Sequence, residues 1–203
     1  MGSEMCIRDR FLNNDVEIIT ESWLEEMLQL CQQKDVGMAG AKLYYPDDTI
    51  QHAGVVVGLG GVAAHVLCKL PRDAEGYMGR LRCVQEISAV TAACMMVKTS
   101  VFKAVGGFDE ELKVAFNDID LCMKVRKYGV KIVFTPYAEL YHYESKSRGM
   151  EDTPEKQLRF SREVNCFRRK WERELLKGDP YYNPNLTLNN TDCSLRKQEK
   201  NGD

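Results

Sequence analysis

Apolar residues recur along this chain in two rhythms, and the switches between them mark its elements. After an acidic turn at Asn13-Asn14-Asp15, Trp23, Leu24, Met27, Leu28 and Cys31 share one face of a helix running from a Thr20 N-cap to about Gln33. Residues 36–45 are apolar and Gly-containing, and Pro46-Asp47-Asp48 ends them in a turn. A Val/Gly-rich strand and turn follows at 54–61, then a long irregular loop at 62–85 suited to cover a site. The run 87–97 predicts one fully buried strand, and 100–105 a short helix closed by Gly106-Gly107. A further helix starts at Asn117 or Asp118, turns Leu121, Cys122 and Val125 inward and stops at Gly129. Strands at 130–134 and 138–143 flank Pro136. This alternation predicts an α/β domain.

The two ends of the chain read differently. Residues 1–10 lack periodicity and join the rest abruptly, so they are set aside as a leader foreign to the fold. Phe11-Leu12 then reads as the end of a buried strand for which nothing upstream supplies a neighbour. Asp152-Thr153-Pro154-Glu155 is a capping-box-like helix start. Phe160, Val164, Phe167, Trp171 and Leu175 continue as one apolar stripe, with Arg159, Arg162, Arg168, Arg169 and Lys170 off it. Residues 151–178 are therefore expected to form one amphipathic helix, packed on its own domain or laid on a partner or membrane surface. Residues 179–203, polar and aperiodic, are expected to be an extended, weakly ordered tail.

Composition narrows the class. At 203 residues, 44% hydrophobic and 29% charged, the chain is sized for one globular domain. A formal charge of −2 without a basic stripe argues against a nucleic-acid partner. The eight cysteines are scattered without a C-x-x-C pair, which suits free thiols in a reducing, cytoplasmic compartment rather than a disulfide framework or a zinc site. The run 87–97 contains Ser88 and Thr91 and falls short of the ~20 residues a membrane span needs, so any membrane contact is expected to be peripheral.

Three clusters carry candidate chemistry. Asn13-Asn14-Asp15 follows a strand, and carboxylates at strand ends in α/β folds face the ligand crevice, where oxygen ligands suit Mg²⁺ or Mn²⁺. An Asn/Asp turn explains the same residues without function. Asn117-Asp118-Ile119-Asp120 opens a helix, where the dipole favours carboxylates as simple caps or as a general base. Asp118 and Asp120, two residues apart on a helix turn, point in different directions, so both cannot serve one atom. His142 closes a strand and can complete a metal set begun by Asp15. His52 and His65 are weaker candidates, His65 by its Gly-rich setting.

Taken in order, LNNDVEI (12–18), SAVTAACMMVKTSVFKAVGGFDEEL (88–112), FNDIDLCMKVRKYGVKIVFTPYAELYHYES (116–145) and RG (148–149) resemble the family 2 glycosyltransferases of the GT-A fold. The resemblance spans Phe11 to about Gly149, giving an expected domain at 11–150. It implies a partial GT-A mixed sheet flanked by helices, lacking the N-terminal nucleotide-binding part. The chain alone is then expected to be poorly active.

The resemblance also implies roles. Asp15 matches the last acidic residue of the D-x-D metal motif, and His142 the histidine completing the Mn²⁺ or Mg²⁺ site. Asn13 replaces the first acidic residue and, with Asn14, falls on the donor side. Asp118 matches the catalytic base of an E-D motif, with Asn117 in the Glu position. Asp120, Thr91, Ala92, Ala93 and Asp109 fall on the acceptor-binding or supporting side. The implied reaction is inverting transfer of a sugar from a nucleotide-diphosphate donor to a hydroxyl of a glycan or lipid-linked acceptor, in polysaccharide synthesis. Asn13 and Asn117, replacing acids, keep open a non-catalytic sugar- or partner-binding module of the same fold. Another nucleotide-sugar or nucleotidyl-transfer enzyme is the remaining alternative.

Overall fold

The apolar stretch after the first helix becomes the centre of a mixed sheet. The computed structural model describes residues 8–143 and 153–197. In chain order the elements are β1 (Arg8–Leu12), β2 (Val16–Ile18), α1 (Trp23–Gln32), β3 (Val36–Tyr44), β4 (Ile50–His52), β5 (Val55–Val57), β6 (Ala63–His65), β7 (Gln85–Glu86), β8 (Cys94–Lys98), α2 (Thr99–Ala104), α3 (Asn117–Tyr128), β9 (Lys131–His142), α4 (Pro154–Lys170) and α5 (Glu172–Lys177). The sheet order is β1-β8-β3-β9-β2, with β4 added to β3 and β7 to β9. β3 and β9 run parallel and the other pairs antiparallel. β5 and β6 form a separate hairpin. This is the expected mixed α/β architecture.

Every residue of β3 is buried, because both sheet faces are covered. On one face α1 sets Met27, Leu30 and Cys31 against Ala39, Ala41, Leu43, Val133 and Leu140. The other face carries the hairpin, α3, and Phe167 and Trp171 from the C-terminal helices. Helix α1 starts later than expected. Ser22 is its N-cap, without a side-chain cap, whereas the Thr20 hydroxyl accepts the Glu139 N–H at 3.2 Å and fastens the helix entry to β9.

Several expectations need correction. The apolar run 87–97 is not one strand: only Cys94–Lys98 pairs as β8. Its first half crosses β3, where Val90 packs directly over Gly40; a Cβ there would lie 2.3 Å from Val90 Cγ1. Continuous apolarity reported burial, and burial here comes from crossing a sheet rather than joining it. The two strands foreseen around Pro136 are one strand, β9, with an irregularity. Between the pairs Gly40↔Phe134 and Lys42↔Glu139, five steps on β9 face two on β3. Proline supplies no ladder donor, and the excess residues bulge outward.

At the chain's start, β1 begins at Arg8, inside the segment set aside as a leader. Its backbone pairs from Arg8↔Lys98 to Leu12↔Cys94. Side-chain periodicity could not reveal this, since ladder bonds belong to the backbone and the partner lies far downstream. β1 is an edge of the described sheet, so Leu12 is 43% exposed rather than buried. Residues 1–7 lie outside the described residues.

At the other end, Thr153 caps α4 by accepting the Lys156 N–H, with Pro154 in the first turn. The apolar stripe is split between two helices by a break at Trp171 (φ −114°, ψ 23°). Phe167 and Trp171 are buried, whereas Phe160 is exposed. Residues 179–197 are not a loose tail. Tyr182, Leu186 and Cys193 are buried, Asp179 Oδ2 accepts the Val57 N–H at 2.8 Å, and the Thr191 carbonyl accepts the Leu67 N–H at 2.6 Å. Isolated apolar residues in a polar stretch found a partner in the β5–β6 hairpin. Among the described residues no helix is long and apolar enough to cross a membrane.

Gly40→Ala forces Val90 off β3, and an overpacking cost of about 1–3 kcal/mol is expected as a lower urea midpoint at unchanged slope. His52, fully buried on β4, lies with Nδ1 2.8 Å from His65 Nδ1, so one of these two nitrogens carries the shared proton. Burial, reinforced by His65 and His142, holds the His52 imidazole well below its ordinary 6.5. Below that pH the unfolded chain takes up a proton that the folded chain refuses. Stability therefore falls there by about 1.4 kcal/mol per pH unit from this group. Urea midpoints measured near pH 7 and near pH 5.5 should show that loss, and His52→Gln should remove its share.

Candidate functional site

The ends of β1, β8 and β9 meet at one edge of the sheet. β1 runs into Asn13-Asn14-Asp15, and the Asn13 N–H bonds the Ala93 carbonyl at 3.0 Å just before β8. β2 then pairs with the end of β9, Val16 opposite His142, and the Asp15 carbonyl accepts the Tyr143 N–H at 2.8 Å. The chain thus folds the acidic turn back against the histidine. Asp15 Oδ1 lies 3.3 Å from His142 Nε2, and Asn13 Nδ2 lies 3.1 Å from the same nitrogen. Asn14 is exposed in the turn.

Gln51, on β4, determines how that imidazole is used. Its Nε2 donates to the His142 carbonyl at 3.2 Å, which orients the amide and sets Oε1 2.7 Å from His142 Nδ1. An amide oxygen only accepts, so Nδ1 carries the hydrogen and Nε2 presents its lone pair. That lone pair accepts from the Asn13 amide N–H at 3.1 Å, and Asp15 Oδ1, a buried atom without a hydrogen-bond partner among the described residues, lies 3.3 Å from the same nitrogen. A carboxylate oxygen and an imidazole nitrogen, both of a kind that ligates divalent cations, thus lie 3.3 Å apart, and a cation held by both would displace the Asn13 N–H from the nitrogen. Among the described residues no cluster of three His, Cys, Asp or Glu side chains converges. A hard divalent cation held here by Asp15 and His142 would draw its remaining ligands from water, a diphosphate or the Asn13 amide.

Asp118 is tied to this pair through the segment just before β8. Phe116, left-handed at φ 63°, turns the chain sharply into α3. Its ring is held by Phe160 and Phe167, with centroids 5.8 and 5.3 Å away. The preceding residues are gripped by Glu163, buried on α4, whose carboxylate accepts the N–H groups of Lys113 (3.1 Å), Val114 (3.1 Å) and Ala115 (2.9 Å). Asp118 is half-buried. Its Oδ2 accepts the Ala92 N–H at 3.1 Å and its Oδ1 the Ile119 N–H at 2.9 Å. Asn117 Oδ1 accepts the Asp118 N–H at 2.7 Å, and Thr91 Oγ1 the Ala93 N–H at 3.3 Å. A continuous path therefore runs from His142 through Asn13 and Ala93-Ala92 to Asp118. The three clusters read from the sequence meet along it.

Asp120 lies off this path. It is fully buried, accepting the Trp171 indole N–H at 2.8 Å and facing Lys170 at 2.8 Å and Lys124 at 3.3 Å. Contact with an acceptor is excluded, and its part is support: it fastens α3 to the end of α4. Asp109 joins it through Lys170, whose ammonium holds the Asp109 carboxyl below its ordinary value.

Sequence reasoning missed Gln51 and Glu163. Gln51 lies in the three-residue strand Ile50-Gln51-His52, too short and too polar for its pattern to announce a buried amide. Glu163, a carboxylate on the apolar stripe between Phe160 and Phe167, did carry a signal. A cleft of about 780 Å³ lies against β3 and β9, and its walls include none of Asp15, Asp118 or His142.

The glycosyltransferase-like family 2 model matches residues 12–162. The chain is 57% identical over 185 residues to the uncharacterized protein y4gI of Sinorhizobium fredii, covering 91% of this chain and 20% of that protein. It is 40% identical over 194 residues to the O-antigen biosynthesis protein RfbC of Myxococcus xanthus, covering 95% and 15%. A segment of 62 residues, 30% of this chain, is 36% identical to an N-acetylglucosaminyl-diphospho-decaprenol L-rhamnosyltransferase of Mycobacterium tuberculosis, of which it covers 20%. The chain thus spans a fifth or less of these relatives. Among solved structures, GalNAc-T7 with UDP, GalNAc and Mn²⁺ superimposes with a TM-score of 0.57 at 12% identity, covering 84% of this chain and 32% of that one. With the GT-A-like sheet and most of its length matched, the chain belongs to the family 2 glycosyltransferases.

Proposed function

We propose that this chain is the metal-binding and acceptor-side part of an inverting glycosyltransferase, moving a sugar from a nucleotide-diphosphate donor to an acceptor hydroxyl in polysaccharide synthesis. The observation that carries the reading is the Asp15–His142 pair, with its imidazole tautomer held by Gln51 and its carboxylate oxygen without a donor among the described residues. The relatives named for O-antigen biosynthesis and for rhamnosyl transfer to a diphospho-decaprenol acceptor agree with it, and the latter favours a lipid-linked acceptor.

Asp15 and His142 would hold Mn²⁺ or Mg²⁺, which offsets negative charge on a departing diphosphate. Asn13 and Asn14, at the turn, are placed for the donor. Asp118 takes the proton of the attacking hydroxyl. Backbone N–H groups orient its two oxygens, and each keeps a lone pair for that proton. Ala92 and Ala93 close the wall behind it, Thr91 and Asn117 brace the local backbone, and Asp109 and Asp120 hold α3 from behind. One displacement at the anomeric carbon inverts its configuration and uses no covalent nucleophile on the protein.

Asp118→Asn, in the longest protein that contains this chain, should lower transfer by about 10²–10⁴-fold with acceptor binding kept, measured as nucleoside diphosphate released. Unchanged transfer would remove Asp118 from the reaction. The same assay, comparing the isolated chain with the longer protein, tests the expectation of weak activity alone. Independently of turnover, Gln51→Ala should weaken Mn²⁺ binding by roughly 10–100-fold, followed by the paramagnetic resonance signal of free Mn²⁺.

A further inference from the structure

The cleft of about 780 Å³ is built from parts that the reaction above does not use. It opens along β9 between the residues paired with β7 (Val133, Phe134) and those paired with β2 (Leu140–His142), where the bulge at Pro136-Tyr137 turns outward. Lys42, on the floor, is only 3% exposed. Among the described residues its ammonium makes one long hydrogen bond, 3.4 Å to the Leu81 carbonyl, and lies 5.3 Å over the Tyr44 ring, so donor capacity remains for a ligand. Arg72 forks between Glu139 (3.1 Å) and Asp48 (3.5 Å) while lying over the Tyr44 ring. At the rim the Tyr137 hydroxyl donates to the Arg82 carbonyl at 3.2 Å, anchoring a ring that is 54% exposed.

Charge in the lining is close to balanced, with Lys42, Arg72 and Arg82 against Asp47, Asp48, Asp73 and Glu139. No single-sign field selects an ion. Closely set donors and acceptors beside an open aromatic face suit a polyhydroxylated, uncharged ligand, whose C–H faces pack on a ring while its hydroxyls bridge the charged groups. The cleft is also joined to the candidate site. Tyr141, next to His142, donates its hydroxyl to Asp48 and accepts from Arg72 at 3.3 Å. The 47–51 segment forms the lip of the cleft and then supplies Gln51 to His142.

We propose that this cleft binds a neutral oligosaccharide stretch of about two or three sugar rings, the non-reacting part of the acceptor glycan. This deepens the transferase reading and rests on it for the word acceptor, but glycan binding is measurable without turnover. Binding of maltotetraose, a rhamnose-containing tetrasaccharide and tetragalacturonate to the chain would be followed by saturation-transfer NMR and calorimetry. At least one neutral tetrasaccharide should bind. Tyr137→Ala should weaken it about tenfold, Tyr137→Trp should retain it, and Asp118→Asn should leave it unchanged. Both Tyr137 variants replace an exposed side chain and are checked for a wild-type urea midpoint. Two results would overturn the proposal: neither neutral saccharide binds, whether or not tetragalacturonate does, or Tyr137→Ala binds as well as wild type. Loss of transfer in Asp118→Asn bears on the reaction alone, and binding lost through Tyr137 bears on the cleft alone.

Discussion

β9 is paired in parallel with β3 and flanked on its other side by β7 and β2. Those pairings together set where His142 sits. A strand engaged on both sides cannot slip by one residue without turning every side chain to the opposite face. The register that buries Ile132, Phe134 and Leu140 is thus the one that delivers His142 opposite Val16 and beside Asp15. The mismatch with β3 is absorbed at Pro136, where no ladder donor is lost. The same irregularity that keeps the end of the strand in register opens the cleft in its middle.

Asp118 is fixed by a different route, from outside the sheet. Phe116 sits in a backbone region that bulky residues rarely adopt, at a cost of order 1–3 kcal/mol. Stacking on Phe160 and Phe167, and three N–H bonds to Glu163 just before it, hold it there. Behind, Asp120 is a fully buried carboxylate. Breaking a buried ion pair from one side leaves a stranded charge, at about 3–5 kcal/mol, so Lys170 and Trp171 bind α4 to α3 firmly. The C-terminal helices are therefore part of the frame that fixes Asp118.

Gln51 and the cleft show why chemistry and packing are hard to separate here. Gln51 contributes no charge, yet it determines which imidazole nitrogen faces Asp15. Lys42 and Arg72 carry charge, yet their carboxylate neighbours cancel most of its reach. A local count of acidic and basic residues would rank these positions in the wrong order. Hydrogen-bond direction gives the right one.

The chain's own pattern determined the helices at α1, α2 and α3, the strand β3, the cap at Thr153 and the alternation that makes the domain α/β, because each depends on neighbours within a few residues. Asp15, Asp118 and His142 were also visible, as acidic or imidazole groups placed at the ends of such elements. What remained for the tertiary structure was everything set by partners distant in sequence: the backbone pairing of Arg8 with Lys98, the crossing of Val90 over Gly40, the burial of Tyr182 and Leu186, and the inward turn of Asp120. An apolar run announces that it will be buried but not what buries it. A carboxylate at a helix start announces a cap but not whether it faces a crevice or a lysine. Those choices are made by contacts between residues far apart in the chain, such as Val90 with Gly40, Asp120 with Trp171 and Asn13 with His142, which exist only once the chain has closed on itself.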